Sequence, residues 1–356
     1  MAGTEIGAKA GGCAFRQGST WGTAVAVEAN GGIKLLNYSP NGGQASLANE
    51  EVGAVAGSVP DIGNEGWAPS LNGKARYGNF GRLLAFIFGT SGAPTQTPPS
   101  TGTTYLHTLT WQDTLTKFMT LCLGARAGAK PHEFPSHKIN EVSLVFTDGG
   151  ELIFKVDGVA CARERDSATN DAATFLAATT RAGRRQIMGT HSTFRLNAQA
   201  GGALASTTDD IKIRSFELRL RRPMTVSHET QSTQAVEPFE EGPVEVMLTI
   251  TLRSYESDAY IALWEDLNTP TPKKADIKFL SGFTPTDGAE MYLKFDFPYV
   301  VVNEDPRVEV PGGGRIPHQV SFKCIAPISG VAPTGMTATA AVEAFVLDEI
   351  STAYLS

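Results

Sequence analysis

Apolar and polar residues alternate most regularly where Val244, Val246, Leu248, Ile250 and Leu252 are interleaved with Glu245, Met247, Thr249, Thr251 and Arg253. A period of two sends successive side chains to opposite faces, so this run predicts a strand with one face on a core and one on water. Val320, Phe322 and Cys324 alternate in the same way with Ser321 and Lys323, and Ala341 to Ile350 predicts a C-terminal strand. Ile211 to Arg222 also alternates, but its phase slips near Ser215: Ile211 and Ile213 fall on one parity, Phe216, Leu218 and Leu220 on the other. A bulge or bend there restores a single buried face. Two short runs change period. Phe80, Leu83, Leu84 and Ile87 are spaced i, i+3, i+4, i+7, as are Tyr260, Leu263, Trp264 and Leu267. Each predicts a short helix that lays one apolar face over the open end of a sheet core.

The punctuation between these runs suits many short strands: 37 Gly and 20 Pro in 356 residues, with abundant Ser and Thr. Gly89 to Thr104 reads as a surface loop, and Gly201 to Thr208, with the polar stretch before it, separates two halves of the chain.

Those halves are related. Phe134 to Cys161 aligns without a gap to Phe297 to Cys324, and nine of the 28 positions are identical: Phe-Pro, Asn-Glu, a Val, Gly-Gly, an Ile and the Cys. Unrelated segments of this composition would share about two. Upstream, Ile33-Lys34 aligns with Ile211-Lys212 and Tyr77 with Tyr255, both at an offset of 178. The downstream offset is 163, and an insertion in the loop 89–104 accounts for the difference. A repeated order of strands and helix predicts duplicated units: residues 1–200 with the loop insertion at about 89–104, and residues 201–356. Hairpin turns are expected at Asp148-Gly149-Gly150 and at Pro311 to Gly314.

Composition narrows the function. Hydrophobic residues are 41% and charged residues 19% of the chain, a globular balance. The net charge of −7 makes a poor generic phosphate ligand, because nucleic-acid affinity runs on Lys and Arg. Met1 to Gln17 carries no apolar run of signal-peptide type, and the longest such run, Leu83 to Phe88, is too short to span a bilayer, so synthesis in the cytosol is expected. Cys13, Cys122, Cys161 and Cys324 form no CxxC pair and read as buried thiols.

The catalytic and cofactor patterns fail one by one. His132-Glu133…His137 has the wrong spacing for a zinc-protease helix, and Pro135 would break that helix. Gly66 to Ala75 has six residues where a phosphate loop needs four, and Ala75 where it needs Ser or Thr. No Gly-x-Ser-x-Gly elbow occurs. No enzyme, metal or cofactor is therefore expected. Arg219, Arg221 and Arg222 lie on one strand and read as a solvated or interface strand face, with DNA contact as the alternative. Glu237, Glu240 and Glu241 in the following loop are positioned to pair with them, within a subunit or between subunits. These six are the candidate contact residues.

Phe15-Arg16-Gln17-Gly18-Ser19-Thr20-Trp21-Gly22-Thr23 resembles the opening of phage tail tube proteins. Ile213 to Arg222, a loop, Glu240-Glu241-Gly242-Pro243 and the alternating strand resemble their core, and Leu71 to Ala75 with Phe80 to Gly89 repeats it more weakly. The first half departs from that pattern at Gly66 to Pro69, which stands in place of the acidic element. The resemblance implies an all-β sandwich or half-barrel with short flanking helices, present twice. It further implies copies joined into rings whose sheets line a lumen, with rings stacked into a tube. Where single-unit relatives form hexamers, a two-unit chain closes the same ring as a trimer. The implied partners are further copies of the chain and other tail proteins (tape measure, tail terminator, distal tail or baseplate). Genomic DNA passes through the lumen unbound, which the acidic balance favours, and the implied place is the virion tail. The loops Ser39 to Glu65 and Met224 to Glu241 are implied to reach towards a neighbouring ring. A ring component that does not polymerise, a tube-like secretion protein and a non-catalytic ligand-binding β-sandwich are the alternatives. The scattered Trp21, Trp67, Trp111 and Trp264 speak against the last.

Overall fold

A computed structural model describes residues 11–47, 61–98, 101–125, 130–179, 185–230, 232–252, 271–303, 307–308 and 318–355. The second expected helix, Tyr255 and the expected turn at Pro311 to Gly314 lie outside these residues. The first half contains β1 (Gly11–Gln17), β2 (Ile33–Lys34), β3 (Asn37–Ser39), β4 (Gly42–Leu47), β5 (Asp61–Trp67), β6 (Ser70–Lys74), α1 (Asn79–Phe88), β7 (Thr95–Thr97), β8 (Thr104–Thr110), β9 (Met119–Ala125), β10 (His132–Thr147), β11 (Ile153–Ala160), β12 (Glu164–Arg165) and α2 (Ala172–Thr179). The second contains β13 (Ser192–Ala198), β14 (Asp210–Ile211), β15 (Ile213–Arg221), β16 (Met224–Thr225), β17 (Phe239–Glu240), β18 (Glu245–Leu252), β19 (Lys273–Leu280), β20 (Tyr292–Val302), β21 (Arg307–Val308), β22 (His318–Cys324) and β23 (Glu343–Asp348). The architecture is all-β with short helices, as the alternation requires.

The local predictions hold in detail. In β18 Val246, Leu248, Ile250 and Leu252 are buried and the residues between them are not. The phase slip is a bulge: the β15–β18 ladder shifts between Ile213 and Ser215, after which Phe216, Leu218 and Leu220 all face inward. The turn after β10 has positive φ at Asp148 (52°) and Gly149 (69°) and is closed by Gly150 N–H on Thr147 O at 2.9 Å. All four apolar residues expected on one face of α1 are buried, and Gly89 ends the helix at φ 86° with its N–H on Ala85 O. Asp171 caps α2 by accepting from Thr174 N at 2.8 Å, and Phe175 and Ala178 pack that helix on β1 and β9.

Strand pairing repeats between the halves. The first runs β3–β6–β11–β10–β9–β1–β2, the second β15–β18–β22–β20–β19–β13–β14. Register agrees as well as order. The β9–β10 ladder slips between Phe134 and His137, and the β19–β20 ladder slips between Phe297 and Val300, the aligned positions. Each slip surrounds the proline of a Phe-Pro pair, where a missing N–H costs no ladder bond. Ile33 pairs with Cys13 on one outer edge, and Ile211, at the offset of 178, pairs with Phe194 on the other, where the partner strand is offset by 181.

Two stretches depart from the sequence reading. The segment 89–104 is no simple loop: it contains β7, which forms a hairpin with β8, and β8 pairs from Tyr105 to Thr110 with β23 of the second half. The stretch Gly201 to Thr208 lies between β13 and β14, both in the second sheet, so β13 groups with the second half. Local pattern carries no information about a pairing partner hundreds of residues away.

Candidate assembly interface

The two units meet edge to edge. β10 is long enough to serve twice: His132 to His137 pairs with β9, and Glu141 to Thr147 then takes β15 on the same edge. The register runs from Glu141↔Arg221 to Thr147↔Ser215. Inward residues of both strands merge into one core. Phe146 stacks on Phe216 at 5.7 Å, and both rings touch Phe279, at 6.0 and 5.9 Å. Offset and edge-on aromatic contacts of this kind add to the area they bury.

The outward side is charged. Arg219 donates twice to Glu141, both at 2.9 Å, and Arg221 reaches Glu245 at 3.3 Å and Glu141 at 3.9 Å. These pairs are about half exposed, so they set register more than stability. Arg222 does not share that face. It falls on the parity of Leu218 and Leu220 and is fully buried. Its Nε donates to Ile87 O at 2.9 Å in the last turn of α1, Nη2 to Gln112 O at 2.5 Å and Nη1 to Glu240 at 2.6 Å. The guanidinium lies 3.9 Å over the Trp111 ring. Burial pulls its pKa down while Glu240 pushes it back up. The sequence already held this answer, since strict period two assigns Arg222 to the core.

The segment Met224 to Glu241 lies along the first unit of its own chain, which differs from the reach towards another ring that the resemblance implied. Glu65 N donates to Thr233 O at 2.8 Å, and Ala235 N donates to Cys161 O at 3.1 Å. Trp21, from the motif that opens the chain, donates through Nε1 to Ala235 O at 2.9 Å, and its ring meets Phe118 edge-on. Glu237 accepts from the buried Lys138 ammonium at 2.8 Å, and Glu241 accepts from the Thr225 hydroxyl. An otherwise unpaired buried lysine is costly, so Glu237 fixes the segment where it lies. Thus all six candidate contact residues are engaged within the chain, at or beside the junction of the two units.

The cysteines are buried, and burial raises the pKa of each thiol. Among the described residues no group of His, Cys, Asp and Glu has metal-ligating geometry, and no helix is long and apolar enough to cross a membrane.

Two runs of seven strands thus join at the β10–β15 edge, and charged side chains pair along that seam. The model of the phage tail tube protein family matches residues 14–324, and the chain belongs to that family. No curated protein matches it. It is a structural component of the phage virion tail, where family members assemble with one another into the tube and associate with other tail proteins.

Proposed function

We propose that three copies of this chain close a ring of six β units, and that rings stack into a hollow tube through which genomic DNA reaches the host cell without specific binding. Each chain contributes residues 1–200 and 201–356 as two units, with β13 counted with the second by its pairing. The observation that supports this reading is the β10–β15 junction: two equivalent units stand side by side, joined as neighbours in a ring would be. Arg219, Arg221, Arg222, Glu237, Glu240 and Glu241 hold the unit-to-unit spacing that ring closure needs, and they have no catalytic role. The tape measure, tail terminator and distal tail or baseplate proteins are the other partners. Negative-stain electron microscopy of the purified protein at rising concentration tests the reading. Hollow tubes or stacked rings of uniform width are expected, and shapeless aggregates would contradict it.

A further inference from the structure

Away from the junction, β1, α1 and the C-terminal segment enclose a cavity of about 350 Å³, within the size range of ligand sites. Its apolar side is aromatic. Phe15 and Phe86 meet edge-on at 6.1 Å, Tyr354 adds another ring, and all three residues are buried. Its polar side holds Arg16, Glu28 and Arg82. Glu28 accepts from Arg82 Nη1 at 3.1 Å and lies 3.4 Å from Arg16 Nε. Arg16 and Glu28 are about half exposed at the mouth, and Arg82 lies deeper.

Charge and hydrogen bonding are both incomplete at this site. Two guanidiniums share one carboxylate, which leaves a local positive charge on a chain of net charge −7. Asp348 does not line the cavity, and its carboxylate accepts from the Tyr354 hydroxyl at 2.6 Å and from Ile350 N at 2.8 Å. A guanidinium carries five N–H donors. Among the described residues, Arg82 Nε is buried without a hydrogen-bond partner, and Nη2 reaches only the Thr352 hydroxyl at 3.5 Å. A buried donor without a partner costs free energy that a ligand oxygen would recover.

The walls are fixed in advance. Tyr354 stacks on His107 at 3.8 Å, and Ile350 O lies 2.8 Å from His107 Nε2. A Cβ on Gly81 of α1 would lie 2.7 Å from the Tyr354 hydroxyl oxygen, so the tyrosine sits directly on the helix. The loop that carries Glu28 is pinned by Val25 N on Thr120 Oγ1 at 2.9 Å and by Val27 N on Asn170 Oδ1 at 2.8 Å. A site built before its ligand arrives loses little binding free energy to ordering.

We infer that this cavity binds a monoanionic carboxylate carried on a compact apolar body, with the carboxylate between Arg16 and Arg82 and the apolar body on Phe15, Phe86 and Tyr354. The planar guanidinium fork matches a carboxylate with parallel bonds. A single surplus charge suits a monoanion better than a phosphate dianion. The site shares no residue with the β10–β15 junction and stands apart from the ring reading.

Isothermal titration calorimetry on the full chain tests the inference with two probes of the same chemistry. One is 3-phenylpropionate, a free organic acid; the other is a capped phenylalanine–glutamate dipeptide, which carries its carboxylate on a side chain. Saturable binding of at least one is expected, and the probe that binds more tightly tells a free acid from an acidic segment of a partner protein. The neutral amide of phenylpropionate should bind at least about tenfold more weakly. Arg82→Gln and Arg16→Gln should each weaken binding by about tenfold, and Arg16, being half exposed, can be replaced without loss of the fold. Glu28→Gln removes the competing carboxylate and should tighten binding, which a purely structural role for the three side chains would not produce. No binding of either probe, equal affinity for acid and amide, or weaker binding in Glu28→Gln overturns the inference.

Discussion

His137 shows how little of a residue's physics local sequence carries. In sequence it belongs to a failed metal pattern; in the fold it is fully buried in β10, with neither ring nitrogen hydrogen-bonded. A Cβ on Gly158 would sit 2.2 Å from its Nε2, so the pocket exists only because a glycine on β11 faces it. Burial lowers the His137 pKa from 6.5 to about 3, with Asp157 pulling weakly the other way. The unfolded chain therefore binds more protons than the folded one between pH 6.5 and about 3, and stability falls as pH drops through that window. Asp296 acts in the opposite sense. Burial raises it from 3.8 to about 6, so the folded state holds the extra proton and gains stability as pH falls from about 6 towards 4. Replacing His137 by Leu isolates the first effect. Between pH 7 and 4.5 the parent should lose about 2–3 kcal/mol relative to His137→Leu, read from urea midpoints at each pH. Parallel pH dependence in the two proteins would contradict this account.

Among elements, legibility followed the range of the interaction. Alternation revealed β18 and β22, the i, i+3, i+4, i+7 spacing revealed α1, and the parity change at Ser215 revealed a bulge, because each depends on neighbours in sequence. The pairing of β8 with β23 and of β13 with β19 depends on partners far along the chain, and neither was visible. The repeat was the exception: the aligned halves carry the same strand order, and the structure adds matching slips around Pro135 and Pro298. Arg222 was legible but misread: a charge on the buried parity marks a buried anchor, and its parity outweighs its charge. It ties the end of β15 to the last turn of α1 and, through Glu240, to β17. Arg222→Met leaves a largely buried carboxylate and two carbonyls without their partner, and is expected to lower unfolding stability by about 3–5 kcal/mol in denaturant titrations. Adding Glu240→Leu should recover part of that loss. An Arg222→Met protein as stable as the parent would remove Arg222 from its role as anchor.

For the whole molecule, the β10–β15 junction accounts for cohesion. The core runs without a break from the first unit to the second through Phe146, Phe216 and Phe279. In the proposed ring, a chain that supplies two of six units halves the number of chains that must meet. The candidate interface residues were found in sequence by their charge alone, and the fold shows that charge decorates a seam whose substance is backbone pairing and aromatic packing. The most direct test is the mass of the smallest closed assembly, measured by native mass spectrometry on rings released from tubes under mild conditions. Three chains per ring is the predicted result; six chains per ring would contradict the claim that each chain supplies two of six equivalent units.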